Sequence, residues 1–258
     1  RDPAVTAPPR SWPAMAPEQA RIRDEFIRRR GYWADDWQLI LEMAPGVMAA
    51  YTDFSAHSAD HGTLDPKTRE FIFIANTAVV THIHPIGIET HGRNAIAAGA
   101  TKEELVTLLA LLAHMGIRGY QLAVDVIEEL APGAQDNCDA TRFAAIRAEY
   151  ERVFGAWDDT ATAAINADPA YFEVFLKWAA APRTNGVLPA KTVALIAIAA
   201  NASITLRDRD TLRREIRVAL ALGATPAEIR EVCTISAGVS IHSLTVGAPI
   251  VAALKVPS

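Results

Sequence analysis

Apolar residues along this chain recur at helical rather than strand spacing. Residues 17–30 and 141–153 carry isolated apolar positions three and four apart among many charges, the pattern of an outer amphipathic helix. A second helix is predicted over roughly 36–56, ending before a turn-rich His57–Gly62 stretch. Asp65-Pro66 opens the next, with Asp as N-cap and Pro in the first turn. The run that follows, through Val80, is apolar nearly all round and reads as central and buried. Pro85 begins a helix to Ala98, closed by Gly99 as a C-terminal glycine. Thr101 and Glu104 form a capping-box signature for a helix over about 102–131, with a break expected near Gly116 or Gly119. No alternating strand pattern competes, so the predicted fold class is all-α.

The same pattern occurs twice. Ile22-Arg23 is followed 124 positions later by Ile146-Arg147, and at that shift Gly31 meets Gly155, Trp33 meets Trp157 and Pro45 meets Pro169. Lys67-Thr68 meets Lys191-Thr192, and Ile72, Ile74 and Ala75 meet Ile196, Ile198 and Ala199. Gly99-Ala100-Thr101 meets Gly223-Ala224-Thr225, and Ile117 meets Ile241. One ungapped register over that length is a tandem duplication. The organisation predicted is an extension over 1–21, a first helical module over 22–134 and a second over 146–258.

Composition narrows the function classes. Half of the 258 residues are hydrophobic and 21% are charged, with a net charge of −5 and no basic stripe on any predicted helix. Nucleic acid is excluded as a partner, since phosphate binding requires clustered Lys and Arg. Cys138 and Cys233 stand far apart with no C-x-x-C, which removes the structural zinc and dithiol redox patterns. Scarce cysteine fits a reducing cytoplasm. The longest apolar stretches are interrupted by Asn, Thr or Gly, so no membrane span is expected, and no signal-peptide pattern is present. The expectation is a soluble, cytoplasmic protein.

Candidate chemistry concentrates in the first copy. Six of the seven histidines fall between His57 and His114, and only His242 lies beyond. With a helix starting at Pro85, His84 and His91 are seven residues apart and share a face. Glu89 is about 200° from His91 round that helix and is better placed to pair with Arg93. Glu70 is a carboxylate inside an otherwise apolar run, so it needs a donor partner. A histidine there would make a proton-transfer unit, whereas Lys67 or Arg69 would make an ordinary surface pair. In the second copy Glu70 becomes Ala194, His82 becomes Leu206, His84 becomes Asp208 and His91 becomes Glu215, while the structural markers remain. That contrast points to function rather than scaffold for Glu70 and His91, and to a degenerate site in the second copy. Arg118 and His242 hold matched positions, and His114 precedes Arg118 by one turn. These three are candidate substrate-binding groups, Arg118 offering a fork for a carboxylate. His57 and His61 read as solvated loop residues. His82, His84 and His91 with Glu70 could offer nitrogens and a carboxylate to a metal, but their spacing fits no zinc motif, and no metal or cofactor is expected.

The residues Leu64-Asp65-Pro66-Lys67-Thr68-Arg69-Glu70, the helix through Thr77, His91-x-Arg93-Asn94-Ala95-x-x-Ala98-Gly99-Ala100-Thr101-x-Glu103-Glu104-Leu105 and His114-x-Gly116 resemble the carboxymuconolactone decarboxylase / alkylhydroperoxidase D-like superfamily. The second copy matches through Lys191-Thr192, Ala221-Leu222-Gly223-Ala224-Thr225 and Ile241-His242-Ser243-Leu244-Thr245-Val246-Gly247, and Gly31-Tyr32-Trp33 and Thr81-His82 mark a two-module subgroup. The resemblance implies an all-helical fold with an active site between modules, and trimers or hexamers. Two modules per chain imply a homotrimer like a hexamer of single modules. The peroxidase branch uses C-x-x-C-x-x-x-H, and counting back from His91 places His84 and Gly87 where its cysteines would stand, so thiol peroxidase chemistry is excluded.

The decarboxylase-like branch works by acid/base chemistry without a cofactor, and its positions match Glu70 and His91. The span between them is slightly longer than the family's, which remodels the turn holding His82 and His84. The reading is a cofactor-free lyase, cleaving C–C or C–O bonds of a small carboxylated or aromatic-derived substrate. In it His91 transfers the proton, Glu70 orients it, His82 or His84 stabilises enolate charge, and Arg118 holds an anionic group. The alternatives are a non-catalytic binding or assembly protein of this fold, or a histidine-ligated metal-dependent hydrolase or lyase.

Overall fold

Prolines and polar caps set where the helices begin. The computed structural model describes residues 14–131, 138–206 and 209–255. Among these the first copy contributes α1 (Pro17–Arg30), α2 (Asp35–Met43), α3 (Pro45–His61), α4 (Pro66–Ala78), α5 (Pro85–Ala97), α6 (Lys102–Ala113), a 3-10 turn (His114–Gly116) and α7 (Ile117–Leu130). The second contributes α8 (Ala140–Phe154), α9 (Ala161–Ala167), α10 (Pro169–Thr184), α11 (Ala190–Asn201), α12 (Arg209–Ala221), α13 (Pro226–Gly238), a 3-10 turn (Val239–Ile241) and α14 (His242–Ala252). No strand occurs among the described residues. The predicted module boundary at 134 lies outside them.

One predicted helix is two. The 36–56 segment breaks at Ala44, whose φ of −148° and ψ of 66° leave the helical region. Pro45 follows, and a proline both lacks the N–H for the preceding turn and pushes its predecessor out of the α conformation. Asp168-Pro169 repeats the break in the second copy. The His57–Gly62 stretch is helical as far as His61 rather than a turn. Arg29 of α1 reaches Asp53 and Asp60, nearly two turns apart on α3, and ties that last part of the helix down. His57 and His61 therefore stand exposed on a helix, not on a loop.

The chain divides into two compact units that cut across the sequence copies: residues 1–64 with 237–258, and residues 65–236. In the first unit, Phe26, Trp37, Ile40, Leu41 and Met48 form a core completed by Ala248, Leu244 and Ile241. Thus α14 of the second copy packs on α2 of the first. In the larger unit, the register counterpart of that contact recurs in reverse, with α7 of the first copy packed on α9 of the second. Each copy gives its final helix to the other.

The larger unit is organised about α4 and α11, which are counterparts at the 124-residue shift and pack against each other. Both bury most of their length, as their nearly continuous apolar sequence requires. Thr81 and Thr205, also 124 residues apart, share a hydrogen bond of 2.6 Å. Two equivalent residues can touch in this way only beside a local pseudo-twofold axis. The repeat is equally faithful in its ties: Lys67–Glu104 at 2.9 Å is matched by Lys191–Glu228 at 2.6 Å. The capping boxes Thr101/Glu104 and Thr225/Glu228 form in both copies, behind Gly99 and Gly223 at φ of 91° and 83°.

Read through their 3-10 turns, Lys102–Leu130 and Pro226–Ala252 are runs of 29 and 27 residues, apolar and long enough to cross a membrane by length and composition. The polar and glycine interruptions, which by sequence predict no such run, do not end the helical path. Core helices pass the same test, and α6 buries Leu108, Leu111 and Leu112.

Candidate active site

Glu70 sits on the second turn of α4, fixed by the cap before it. Asp65 accepts from the Thr68 backbone N–H at 3.0 Å and from the Thr68 hydroxyl at 2.6 Å, and Pro66 occupies the first turn. The cations that could have neutralised Glu70 nearby are engaged elsewhere. Lys67 pairs with Glu104, and Arg69 pairs with buried Glu231 at 3.0 Å. The Glu70 carboxylate turns instead to α5.

On α5 the start is pinned from three directions. Pro85 supplies the first turn, the His84 N–H donates to the Thr77 carbonyl at 2.8 Å, and the His84 ring Nδ1 accepts from the Gly87 N–H at 2.9 Å. Gly87 is required for that closeness, because a Cβ there would stand 2.8 Å from both His84 Nδ1 and Thr77 Cγ2. His91 follows two turns after His84. Its Nδ1 lies 2.7 Å from Glu70 Oε2, and its ring stacks on Phe73 at 4.4 Å and 5°. Asn94 Nδ2 approaches the same carboxylate oxygen at 3.5 Å. The His91 and Glu70 side chains are only 9% and 16% exposed, so the pair is shielded but reachable.

This arrangement is chemically directional. With Nδ1 donating to the carboxylate, Nε2 of His91 carries the lone pair and can take a proton, and the adjacent carboxylate stabilises the imidazolium that results. His84 is a capping group as well as a candidate donor. Since its Nδ1 accepts, its Nε2 bears the ring proton, and burial, with His82 and His91 nearby, lowers its pKa. His82 is half-buried, its ring parallel to that of His84 at 6.3 Å. Glu89 and Arg93 form the expected exposed pair on the opposite face. Among the described residues no three His, Cys, Asp or Glu side chains converge as metal ligands.

The remaining candidates stand elsewhere. His114 and Arg118 share a cavity, as their one-turn spacing suggested, but neither Glu70 nor His91 lines it. Its walls come largely from the second copy and include Tyr150, Asp158, Arg183, Arg214 and Glu215. Glu215 is the counterpart of His91, so the second copy keeps a polar site at this position with different groups. Asp208, the counterpart of His84, lies outside the described residues. His242 opens α14 in the smaller unit, half-buried. Sequence reasoning missed Arg183 and Arg214: Arg214 stands in the charged run Arg213-Arg214-Glu215, and Arg183 follows Ala181-Pro182 at the end of a helix. The repeat register, followed from His91 to Glu215, was the signal that could have found them.

The sequence matches the carboxymuconolactone decarboxylase family over residues 45–125 and 169–240, once in each copy. The crystal structure of a candidate gamma-carboxymuconolactone decarboxylase subunit from Burkholderia xenovorans LB400 superposes with a TM-score of 0.85 at 32% identity, covering 92% of this chain and 97% of that one. No protein of curated function matches. With the family pattern present twice and a solved neighbour of nearly equal length, this chain belongs to the carboxymuconolactone decarboxylase family.

Proposed function

We propose that the chain is a cofactor-free lyase, decarboxylase-like, acting on a small carboxylated or aromatic-derived substrate through Glu70 and His91. The observation that carries this reading is the shielded 2.7 Å contact between Glu70 Oε2 and His91 Nδ1. As the substrate C–C bond to the carboxylate breaks, its electrons pass to an enolate and carbon dioxide leaves. His91 Nε2, which first takes a proton from solvent to give the imidazolium, then delivers it to carbon and returns to the neutral ring, while Glu70 holds the ring and stabilises its charge. His84 Nε2–H is the donor for enolate oxygen. Arg118 and His114, expected to hold the substrate's carboxylate, line the other cavity.

The first substrate to try is gamma-carboxymuconolactone, the compound in the name of the Burkholderia neighbour, followed by related carboxylated lactones. Glu70→Gln and His91→Ala are each expected to reduce turnover about a hundredfold or more. Undiminished rates in both variants end the assignment. A non-catalytic binding protein of this fold is the second reading, favoured by the second copy, which keeps the fold with Ala194 and Glu215 in place of the pair. Tight lactone binding with no turnover in the wild type would select it.

The same proposal includes a homotrimer. Its support is the outer stripe of α7, where Leu122, Val126 and Leu130, one turn apart, are 67%, 41% and 77% exposed.

A further inference from the structure

Two histidines stand on the outside of α3, and the helix brings their rings together. His57 and His61 are four residues apart, which on an α-helix is about 40° of rotation and about 6 Å of rise, so both imidazoles leave from one face. Both residues are exposed, and their ring centroids lie 5.0 Å apart with the planes at 54°. A divalent ion binds imidazole nitrogen at about 2.0–2.1 Å along the ring axis, which puts each ring centre about 3.2 Å from it. Two rings on one such ion are then about 4.5 Å apart at a right angle and about 5.2 Å apart at the tetrahedral angle. The separation of 5.0 Å falls inside that interval.

The pair stands on a helix end that is held in place. His61 is the last residue of α3, a position where helices ordinarily fray. Arg29 ties it down, with Nη1 2.5 Å from Asp53, one turn before His57, and Nη2 2.5 Å from Asp60, the neighbour of His61. Two ligands placed in advance lower the ordering cost of chelation. The same bonds decide the donor set: Arg29 takes up both carboxylates, so the protein offers the two imidazoles and water completes the shell. The fold does not ask for these histidines. At the 124-residue shift they become Ala181 and Asn185, while Arg29, Asp53 and Asp60 become Val153, Lys177 and Thr184. The second copy keeps the helix, as α10, without either the pair or its tether.

We propose that His57 and His61 form an exchangeable site for one late first-row divalent cation, Zn²⁺, Ni²⁺ or Cu²⁺, held by two imidazole nitrogens and water. Imidazole suits these ions, whereas Mg²⁺ and Ca²⁺ call for carboxylate or carbonyl oxygen. A structural zinc site closes four positions with protein ligands. Two ligands leave the rest open, so the chain can gain and give up this ion without unfolding. The site belongs to the smaller unit and uses neither Glu70 nor His91.

The test is isothermal titration of the full chain, free of any histidine tag, with nickel chloride, and with magnesium chloride as the control for a charged surface. Wild type should bind one Ni²⁺ per chain with a Kd of about 100 µM or tighter, and Mg²⁺ at least about a hundredfold more weakly. Because the second imidazole binds within the same molecule, His57→Ala and His61→Ala should each weaken Ni²⁺ binding at least about tenfold. Both positions are exposed and alanine favours helix, so the two variants keep the fold, which circular dichroism checks. His91→Ala should bind Ni²⁺ like wild type. The proposal is overturned if wild type shows no Ni²⁺ binding, if Mg²⁺ binds equally well, if either α3 variant keeps wild-type affinity, or if His91→Ala loses binding.

Discussion

His114 should make the protein lose stability in mild acid, and the size of that loss can be worked from its surroundings. The side chain is 6% exposed in a box of Phe154, Phe175 and Trp178, at ring-centroid distances of 5.8, 6.4 and 6.4 Å. Burial and the positive Arg183 depress its pKa from 6.5 to about 3, with the Ala110 backbone partly opposing them. In the unfolded chain the ring titrates near its ordinary value. Between those two values the unfolded state binds a proton that the folded state refuses, so stability rises with pH across that window and falls as pH drops through it. From pH 7.5 to 4.5 this one group removes about two pH units' worth of linkage below 6.5, or roughly 2.5 kcal/mol. His114→Phe retains an aromatic ring in the box and cannot titrate. Any packing penalty it brings is the same at every pH, so the comparison rests on slopes. Urea unfolding of both proteins across that range should show the variant losing about 2.5 kcal/mol less than wild type. Curves that fall in parallel, within about 0.5 kcal/mol, would refute the buried neutral histidine.

Other perturbations probe the scaffold around the site. Arg69→Met removes the cation paired with the buried Glu231 carboxylate and should cost about 3–5 kcal/mol in urea unfolding, whereas Lys191→Met, at a more exposed pair, should cost about 1 kcal/mol or less. Gly87→Ala forces a methyl to within 2.8 Å of His84 Nδ1 and Thr77 Cγ2. It should destabilise by about 1–3 kcal/mol and, by shifting the start of α5, lower turnover along with stability. Leu122→Glu with Leu130→Glu should lower the mass seen by light scattering to that of one chain, with little change in the circular dichroism of the helices. An unchanged oligomer would place the subunit contact elsewhere.

Most of the helical scaffold was legible because its signals are local. Asp65-Pro66, Pro85 and the Thr101/Glu104 box start helices through contacts within one turn, and each formed where the spacing placed it. Ala44-Pro45 carried an equally local signal, yet a continuous apolar pattern outweighed it and hid a break. The Glu70–His91 contact was readable through two features, a carboxylate where none is cheap and its loss in the second copy. Its geometry depended also on where Lys67 and Arg69 went, and their partners Glu104 and Glu231 lie 37 and 162 residues away. The cavity was illegible for a related reason. Arg214 belongs to a helix whose charges look solvated in one dimension, Arg183 follows a proline at the end of α10, and residues of α6, α7 and α8 join them in one cavity only in the folded chain.

The exchanged final helices have a consequence for how the chain is made. The smaller unit joins residues up to Leu64 to residues from Ala237 onward, so α2 must wait for α14, which is synthesised about 200 residues later. At about 5–20 residues per second, Trp37, Leu41 and Met48 stay uncovered on a growing chain for on the order of ten seconds or more. The larger unit lies between them in sequence and can gather its core first. A nascent chain stalled before α14 would present this apolar surface to chaperones, and a truncation there would damage the smaller unit while leaving the segment bearing Glu70 and His91 intact in sequence.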